Sequence, residues 1–237
     1  MKFYRPLKSF KAISFDLDDT LYDNHPIIKK AESDFLCYLN KTYAPLNELN
    51  AHQWGLYKNH LLRERPELID DVSLLRLEIL KRIMCIYGIT PYLATEYAQQ
   101  ALTEFLNLRS AFKVPVESID LLHKLSAHYP LIAITNGNVN THQIGLEHSF
   151  KFVLQAGNGY KAKPHIDLFN EAALRLKINV SDILHVGDNL YSDVFGAQNS
   201  GAQSIWLNKN KQSLDNAKLL PTVEITRLDQ LYSLLIK

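Results

Sequence analysis

The densest group of reactive side chains in the sequence is Asp16-Leu17-Asp18-Asp19-Thr20, which follows directly on an apolar stretch. Asp16 and Asp18 stand two positions apart, so a turn after a strand can aim both carboxyl groups at one reacting centre. One carboxylate can then attack phosphorus to form an acyl phosphate. A second, in a different environment, can protonate the leaving oxygen and later deprotonate water. The same residues also suit an acidic turn or a helix N-cap. A calcium loop of the EF-hand kind fits poorly, because the central glycine is missing and Ile27 stands where a bidentate glutamate is needed.

Further groups along the chain extend this chemistry. Thr135-Asn136-Gly137 offers a hydroxyl and free backbone N–H groups, the donors that a phosphate's non-bridging oxygens need, although it also reads as an ordinary turn. Lys163, just before Pro164, is a cation that can neutralise phosphate charge and stabilise a neighbouring carboxylate nucleophile, and Lys161 competes for that role. In Gly187-Asp188-Asn189-Leu190-Tyr191-Ser192-Asp193, Asp188 and Asp193 can face the same crevice as Asp16. Mg²⁺ prefers one or two carboxylates plus water and substrate phosphate, and Asp16 and Asp188 supply that number. Asp193 also suits a helix N-terminus.

These residues must be delivered by secondary structure. Apolar runs at 11–15, 131–135, 152–155, 183–186 and 203–207 read as strands, and helical patterns lie between several of them. Pro164 is expected to begin a helix through Ile166, Phe169, Ala173 and Leu176, and 189–200 to form another, closed by Gly201. The pattern predicts an α/β fold with a doubly wound parallel sheet, in which ligands gather beyond the carboxyl ends of the strands. Between Leu21 and Leu108 the pattern changes to amphipathic helices with no convincing strand. One runs through Ile28, Ala31, Phe35 and Leu39, one through Val72, Leu75, Ile79 and Ile83, and two lie at 49–62 and 93–108. The expected division is an α/β core of 1–20 and 111–237 with an all-helical insertion at 21–110.

Bulk properties narrow the partners. A chain of 237 residues, 46% hydrophobic and 22% charged, can bury a substantial core. With 26 Lys plus Arg against 25 Asp plus Glu there is no general charge to attract nucleic acid or anionic lipid. No segment is apolar for long enough to span a bilayer, and Pro6, Lys8, Lys11 and Asp16 interrupt any signal-peptide core after the basic start. The only cysteines, Cys37 and Cys85, lack metal-ligand spacing and are expected as buried structural thiols in a reducing cytosol. His185, on an apolar strand, is expected in the core, and 209–212 as an exposed loop. Monomer and homodimer both remain open.

The ordered set of Asp16, Asp18, Thr20, Thr135, Lys163, Gly187, Asp188 and Asp193 resembles the haloacid dehalogenase superfamily, whose pattern is D-x-D-x-T, Ser/Thr, Lys and G-D-x-x-x-x-D. The resemblance implies a Rossmann-like core with a helical cap that closes over small substrates. It implies Asp16 as nucleophile and metal ligand, and Asp18 as acid/base whose backbone carbonyl also meets Mg²⁺. Thr135, Asn136 and Lys163 would hold phosphate, Asp188 would bind metal and Asp193 would support the site. Met1 to Leu7, Asp16 to Asn24, Asp71-Val72-Ser73 with Arg76, Ala133 to Asn138 and His185 to Val194 are similar to bacterial phosphatases of flavin mononucleotide that also hydrolyse 5-amino-6-(5-phospho-D-ribitylamino)uracil. Two positions depart from that pattern: Lys161 stands where Arg is expected, and Phe195 where Gly is. Tyr22, Asn24, Arg76 and Trp54 become candidates for reading the leaving group. Other readings are a phosphatase or phosphomutase of sugar or nucleoside phosphates, and a non-catalytic phosphate-binding or signalling protein. A halide-removing enzyme would not need Asp18 or Asp188.

Overall fold

The computed structural model describes residues 1–215 and 217–236; Asn216 and Lys237, which the sequence reading assigns to the α/β region, lie outside the described residues. The chain forms two compact units, one of Met1–Asp23, Lys113–Gly137 and Gly145–Lys237, the other of Asn24–Phe112 and Asn138–Ile144.

The first unit is built on a sheet. In chain order its strands are β1 (Lys2–Phe3), β2 (Ala12–Phe15), β3 (Leu131–Thr135), β4 (Val153–Gln155), β5 (Ile183–Gly187), β6 (Gln203–Leu207) and β7 (Val223–Ile225). They lie in the order β1-β7-β6-β5-β2-β3-β4, all parallel except β1, which runs antiparallel to β7. The central strands β2, β3 and β5 are buried along their whole length, which is why they read as continuous apolar runs rather than alternating ones. From β2 the order steps to β3 on one side and to β5 on the other, so the chain reverses its direction of growth there and a crevice opens beyond the carboxyl ends.

Register decides what reaches that crevice. Phe15 pairs with Ala133 and with Val186, so Asp16 leaves the sheet level with Ile134 and Gly187, one residue before Thr135 and Asp188. Ile132, Ile134 and Ile183 on the sheet pack with Leu168, Phe169 and Ala172 of the helix at Asp167–Leu176 in one buried cluster, which holds this register.

Two elements differ from expectation. The helix after Pro164 begins at Asp167 and ends at Leu176, because His165 N–H turns back to the Ala162 carbonyl and the first helical bond is Asn170 N–H to Ile166 O. The stretch from Asn189 starts as a wide π-helical turn at Leu190–Phe195, with Val194 N–H donating to Asn189 O, before a short α-helix at Gly196–Asn199. Strands β1 and β7, only two and three residues long, exist through pairing with distant chain and carry no periodic signal of their own.

The second unit contains helices at Asn24–Thr42 (α1), Ala51–Glu64 (α2), Val72–Ile86 (α3) and Pro91–Arg109 (α4). Helices at Val116–Ser126 (α5), Asp167–Leu176 (α6), Gly196–Asn199 (α7) and Gln230–Leu235 (α8) belong to the first unit. In α1 to α4 the buried stripes Phe35 and Leu39, Ile79, Leu80 and Ile83, and Ala98, Leu102 and Phe105 meet in one core. Asp71 opens α3 by accepting from Ser73 N and Leu74 N at 3.1 and 2.8 Å, and Asn50 opens α2 in a reciprocal capping box with Gln53.

Cys37 and Cys85 are exposed, contrary to the expectation of buried thiols. Cys37 lies two residues from both Phe35 and Leu39, and Cys85 two residues after Ile83, roughly opposite the buried stripe of each helix. Among the described residues no helix is long and apolar enough to cross a membrane.

Candidate active site

Asp16 is the first residue beyond β2, tied to the neighbouring strand by its N–H to the Val186 carbonyl at 2.9 Å. Its side chain is nearly buried, and its two oxygens have different neighbours. Oδ1 accepts from Lys163 Nζ at 2.7 Å, and Oδ2 lies 3.3 Å from the Thr20 hydroxyl, which is also 3.3 Å from Asp188 Oδ1. The single hydroxyl proton can serve only one of these carboxylates at a time. Oxygens of Asp16, Asp188 and Asp193 all lie within 4.8 Å of one another.

Lys163 settles the competition with Lys161, whose side chain is exposed. The Lys163 ammonium donates to Asp16 Oδ1, to Asp193 Oδ1 at 2.7 Å and to the Ile134 carbonyl at 2.6 Å, which uses all three of its N–H groups. Asn136 holds the same lysine by its backbone: its Nδ2 donates to the Lys163 carbonyl and its Oδ1 accepts the Lys163 N–H, both at 2.8 Å. The Asn136 side chain is thereby engaged at both polar ends. Thr135 Oγ1 accepts the Gly137 N–H at 3.0 Å, which leaves its own O–H to donate.

Asp193 is anchored on every side. Besides Lys163, its Oδ1 meets His185 Nε2 at 3.3 Å, and its Oδ2 accepts the Asn189 N–H at 2.9 Å. His185 is fully buried, and burial pushes its pKa below the ordinary histidine value, so the ring is neutral. A neutral imidazole beside an ionised carboxylate places its proton on Nε2, and Nδ1 then accepts from the Ser14 hydroxyl at 2.8 Å. Burial would raise Asp193, but the Lys163 ammonium and the His185 hydrogen bond outweigh it and hold that carboxyl well below the usual range.

Asp16 and Asp188 have less support. Burial pushes Asp16 well above the ordinary range against the pull of Lys163, and burial, then the charges of Asp193 and Asp19, push Asp188 up to about 6. Three carboxyl groups thus crowd together while the ammonium bonds Asp16 and Asp193, and Asp16 and Asp188 are the pair whose charges remain under-compensated. Two hard oxygen donors in need of positive charge suit a divalent cation such as Mg²⁺.

Asp18 is fixed from two directions. The Tyr22 hydroxyl donates to its Oδ1 at 2.6 Å, and its Oδ2 lies against Gly137, where a Cβ would overlap it. Asp19 has φ of +58°, a left-handed turn that swings the chain away immediately after Asp18. Of the other residues named from the sequence, Tyr22 belongs to the first unit and is buried, whereas Asn24, Trp54 and Arg76 belong to the helical unit. Asn24 opens α1, and Arg76 packs its guanidinium on Phe105, 3.4 Å from the ring centroid, with Trp54 at 5.4 Å. Burial draws the pKa of Arg76 down to about 10.

Two contributors escape sequence reading. Trp206 Nε1 donates to the Asp188 carbonyl at 2.7 Å from the adjacent strand, where it pairs with Gly187. Lys209, expected merely as exposed loop, donates to the Asp19 carbonyl at 2.7 Å. Neither contact has a local signal, because each depends on where β6 joins the sheet.

Gly187 has no room for a side chain, since a Cβ there would overlap the Asp193 carboxylate. Gly187→Ala is therefore expected to lower stability by about 1–3 kcal/mol through overpacking. It should also lower turnover by loosening the Lys163 anchor. Urea denaturation and steady-state rates measure the two effects, and a wild-type midpoint together with wild-type rates would show that Asp193 has space to move.

Comparison with known proteins agrees with this geometry. The profile of the haloacid dehalogenase-like hydrolases matches residues 10–201. The 5-amino-6-(5-phospho-D-ribitylamino)uracil phosphatase YigB of Escherichia coli (strain K12) is 37% identical, over 99% of this chain and 100% of its own length. The glyceraldehyde 3-phosphate phosphatase of Pyrococcus furiosus is 27% identical, over 97% of this chain and 94% of its own. Among solved structures, a 2-haloacid dehalogenase from Pseudomonas syringae pv. Tomato DC3000 superposes with a TM-score of 0.89 at 33% identity, covering 95% of this chain and 98% of that one.

Proposed function

The chain belongs to the haloacid dehalogenase-like hydrolases, and from that membership we propose a Mg²⁺-dependent phosphatase that works through an aspartyl-phosphate on Asp16 and acts on 5-amino-6-(5-phospho-D-ribitylamino)uracil and flavin mononucleotide. The observation that carries the chemistry is the environment of Asp16, with an ammonium at 2.7 Å on one oxygen and a hydroxyl shared with Asp188 on the other. The substrate assignment rests on similarity to the Escherichia coli enzyme along the whole chain.

In the first transfer an Asp16 oxygen bonds to phosphorus as the bond from phosphorus to the ester oxygen breaks, and Asp18 gives its proton to that oxygen so that the alcohol leaves. In the second, water gives a proton to Asp18 and bonds to phosphorus, the Asp16–phosphorus link breaks, and inorganic phosphate is released. The Thr135 O–H and the Asn136 backbone N–H hold the non-bridging oxygens. Lys163, with every N–H committed, acts through Asp16 by opposing the burial that disfavours its charged form and by aiming it, and Asn136 keeps the lysine in place. Asp16, Asp188 and the Asp18 carbonyl would hold Mg²⁺, which when bound supplies positive charge against the transferring phosphoryl group. Exposed thiols at Cys37 and Cys85 suit a reducing cytosol.

The test is a panel of kcat/KM values for the two flavin-pathway esters beside sugar, nucleoside and triose phosphates, with Mg²⁺ and with EDTA. The expected result is a preference of about tenfold or more for the flavin-pathway esters, with activity lost in EDTA and restored by Mg²⁺. If both flavin-pathway esters ranked among the poorest substrates, the assignment would be wrong. The likeness to a haloacid dehalogenase favours a second reading, release of halide from a 2-haloacid. The buried Tyr22–Asp18 pair speaks against it, since an acid poised for a leaving oxygen has no task when halide departs. Halide assays with 2-chloropropionate separate the two.

A further inference from the structure

We propose that Tyr22 is a positioning residue for catalysis, fixing which oxygen of Asp18 exchanges the proton with the leaving group. The inference rests on the phosphatase reading above and assigns Tyr22 a task other than contact with the leaving group. Tyr22 is 3% exposed, and its hydroxyl lies 2.6 Å from Asp18 Oδ1. The chain between them is held as well. Leu21 N–H donates to the Leu17 carbonyl at 2.9 Å, and Ser118 on α5 donates to the Leu21 carbonyl at 2.7 Å. The residue before the phenol is therefore held through both its N–H and its carbonyl.

The consequence follows from the chemistry of a carboxyl group. An oxygen that accepts a phenolic hydrogen bond serves as the carbonyl oxygen of the protonated acid, so the exchangeable proton resides on Oδ2. That oxygen borders Gly137, at the point where the absence of a side chain leaves space, and Thr135 Oγ1 lies 3.4 Å from the same point. The proton is thus presented beside the loop after β3 rather than toward the protein interior. Tyr22 keeps the same orientation in both halves of the reaction: Oδ2 gives its proton to the departing alcohol oxygen in the first, and takes one from the attacking water in the second. Replacing the phenol by phenylalanine removes the donor on Oδ1 and with it the preference of the proton for Oδ2.

The experiment compares esters that differ in their need for an acid. An alkyl phosphate such as flavin mononucleotide must have its leaving oxygen protonated, whereas 4-nitrophenolate leaves without help. For Tyr22→Phe, the ratio of kcat/KM for flavin mononucleotide to that for 4-nitrophenyl phosphate is expected to fall about tenfold, with melting temperature recorded beside it. Asp18→Asn should move the ratio further in the same direction. Gly137→Ala, which crowds the other oxygen, should move it likewise. A merely structural role would lower both rates in proportion, and a constant ratio in Tyr22→Phe would overturn the proposal even if Asp18→Asn shifts it. Absence of phosphate release from both esters by the wild-type protein with Mg²⁺ would overturn the phosphatase reading and this proposal together.

Discussion

Replacing Asp16 by asparagine is expected to remove phosphate release from every ester, by a factor on the order of 10⁴ or more in kcat/KM. The amide has the shape of the carboxylate but cannot form the acyl phosphate, so catalysis loses its first covalent step rather than some of its binding. The fold should survive. Asp16 is buried and its charged form is disfavoured there, so a neutral isostere relieves carboxylate crowding while Lys163 keeps Asp193 and the Ile134 carbonyl as partners. A change of no more than about 2 kcal/mol in unfolding free energy is expected. Measured together, phosphate release and urea denaturation separate chemistry from folding. Turnover within tenfold of wild type in Asp16→Asn would remove the nucleophile from this side chain and the proposed mechanism with it.

Lys163→Met should have the largest effect on stability. The ammonium, 1% exposed, balances two carboxylates and satisfies a strand carbonyl. A methionine of similar length leaves Asp16 and Asp193 buried without their cation, which costs about 3–5 kcal/mol. Activity should fall with stability, because an uncompensated Asp16 takes up a proton and ceases to be a nucleophile. The double variant Lys163→Met/Asp193→Asn distinguishes this account from a simple packing defect. Removing the orphaned charge should return part of the lost stability, so that the two substitutions are non-additive by about 1 kcal/mol or more. Strictly additive losses would mean that the ammonium and the Asp193 carboxylate are not energetically coupled.

The parts of the site that were legible in the sequence have a common character. Asp16 and Asp188 each stand at the end of an apolar run too short for a helix, and a strand that ends in a carboxylate announces itself locally. The distance between Asp16 and Asp188 was not legible, because it depends on β2 and β5 being neighbours with Phe15 opposite Val186. The helices of the second unit were also legible, since a periodicity of about 3.6 residues persists through each of them. The exposure of Cys37 and Cys85 could have been read from that same periodicity, as both fall off the stripe that Phe35, Leu39, Ile79 and Ile83 define.

Assignments of individual partners followed a different rule. Lys161 competed with Lys163 by its nearness in sequence, and the clamp from Asn136, 27 positions earlier, together with the ion pair to Asp16 distinguishes them. Tyr22, a candidate for substrate contact by sequence, has its hydroxyl on Asp18, a partner four residues back that spacing alone does not reveal. The contacts of Trp206 and Lys209 had no local signal.

By itself the amino-acid order determined the chemistry available: which carboxylates, hydroxyls and cations exist, and which elements carry them, because strand and helix formation respond to patterns a few residues long. Tertiary structure alone decided how those groups divide the work. Hydrogen bonds and ion pairs between residues 27 to 168 positions apart are set by strand order and register, and burial then determines which carboxyl keeps its charge and which needs a partner.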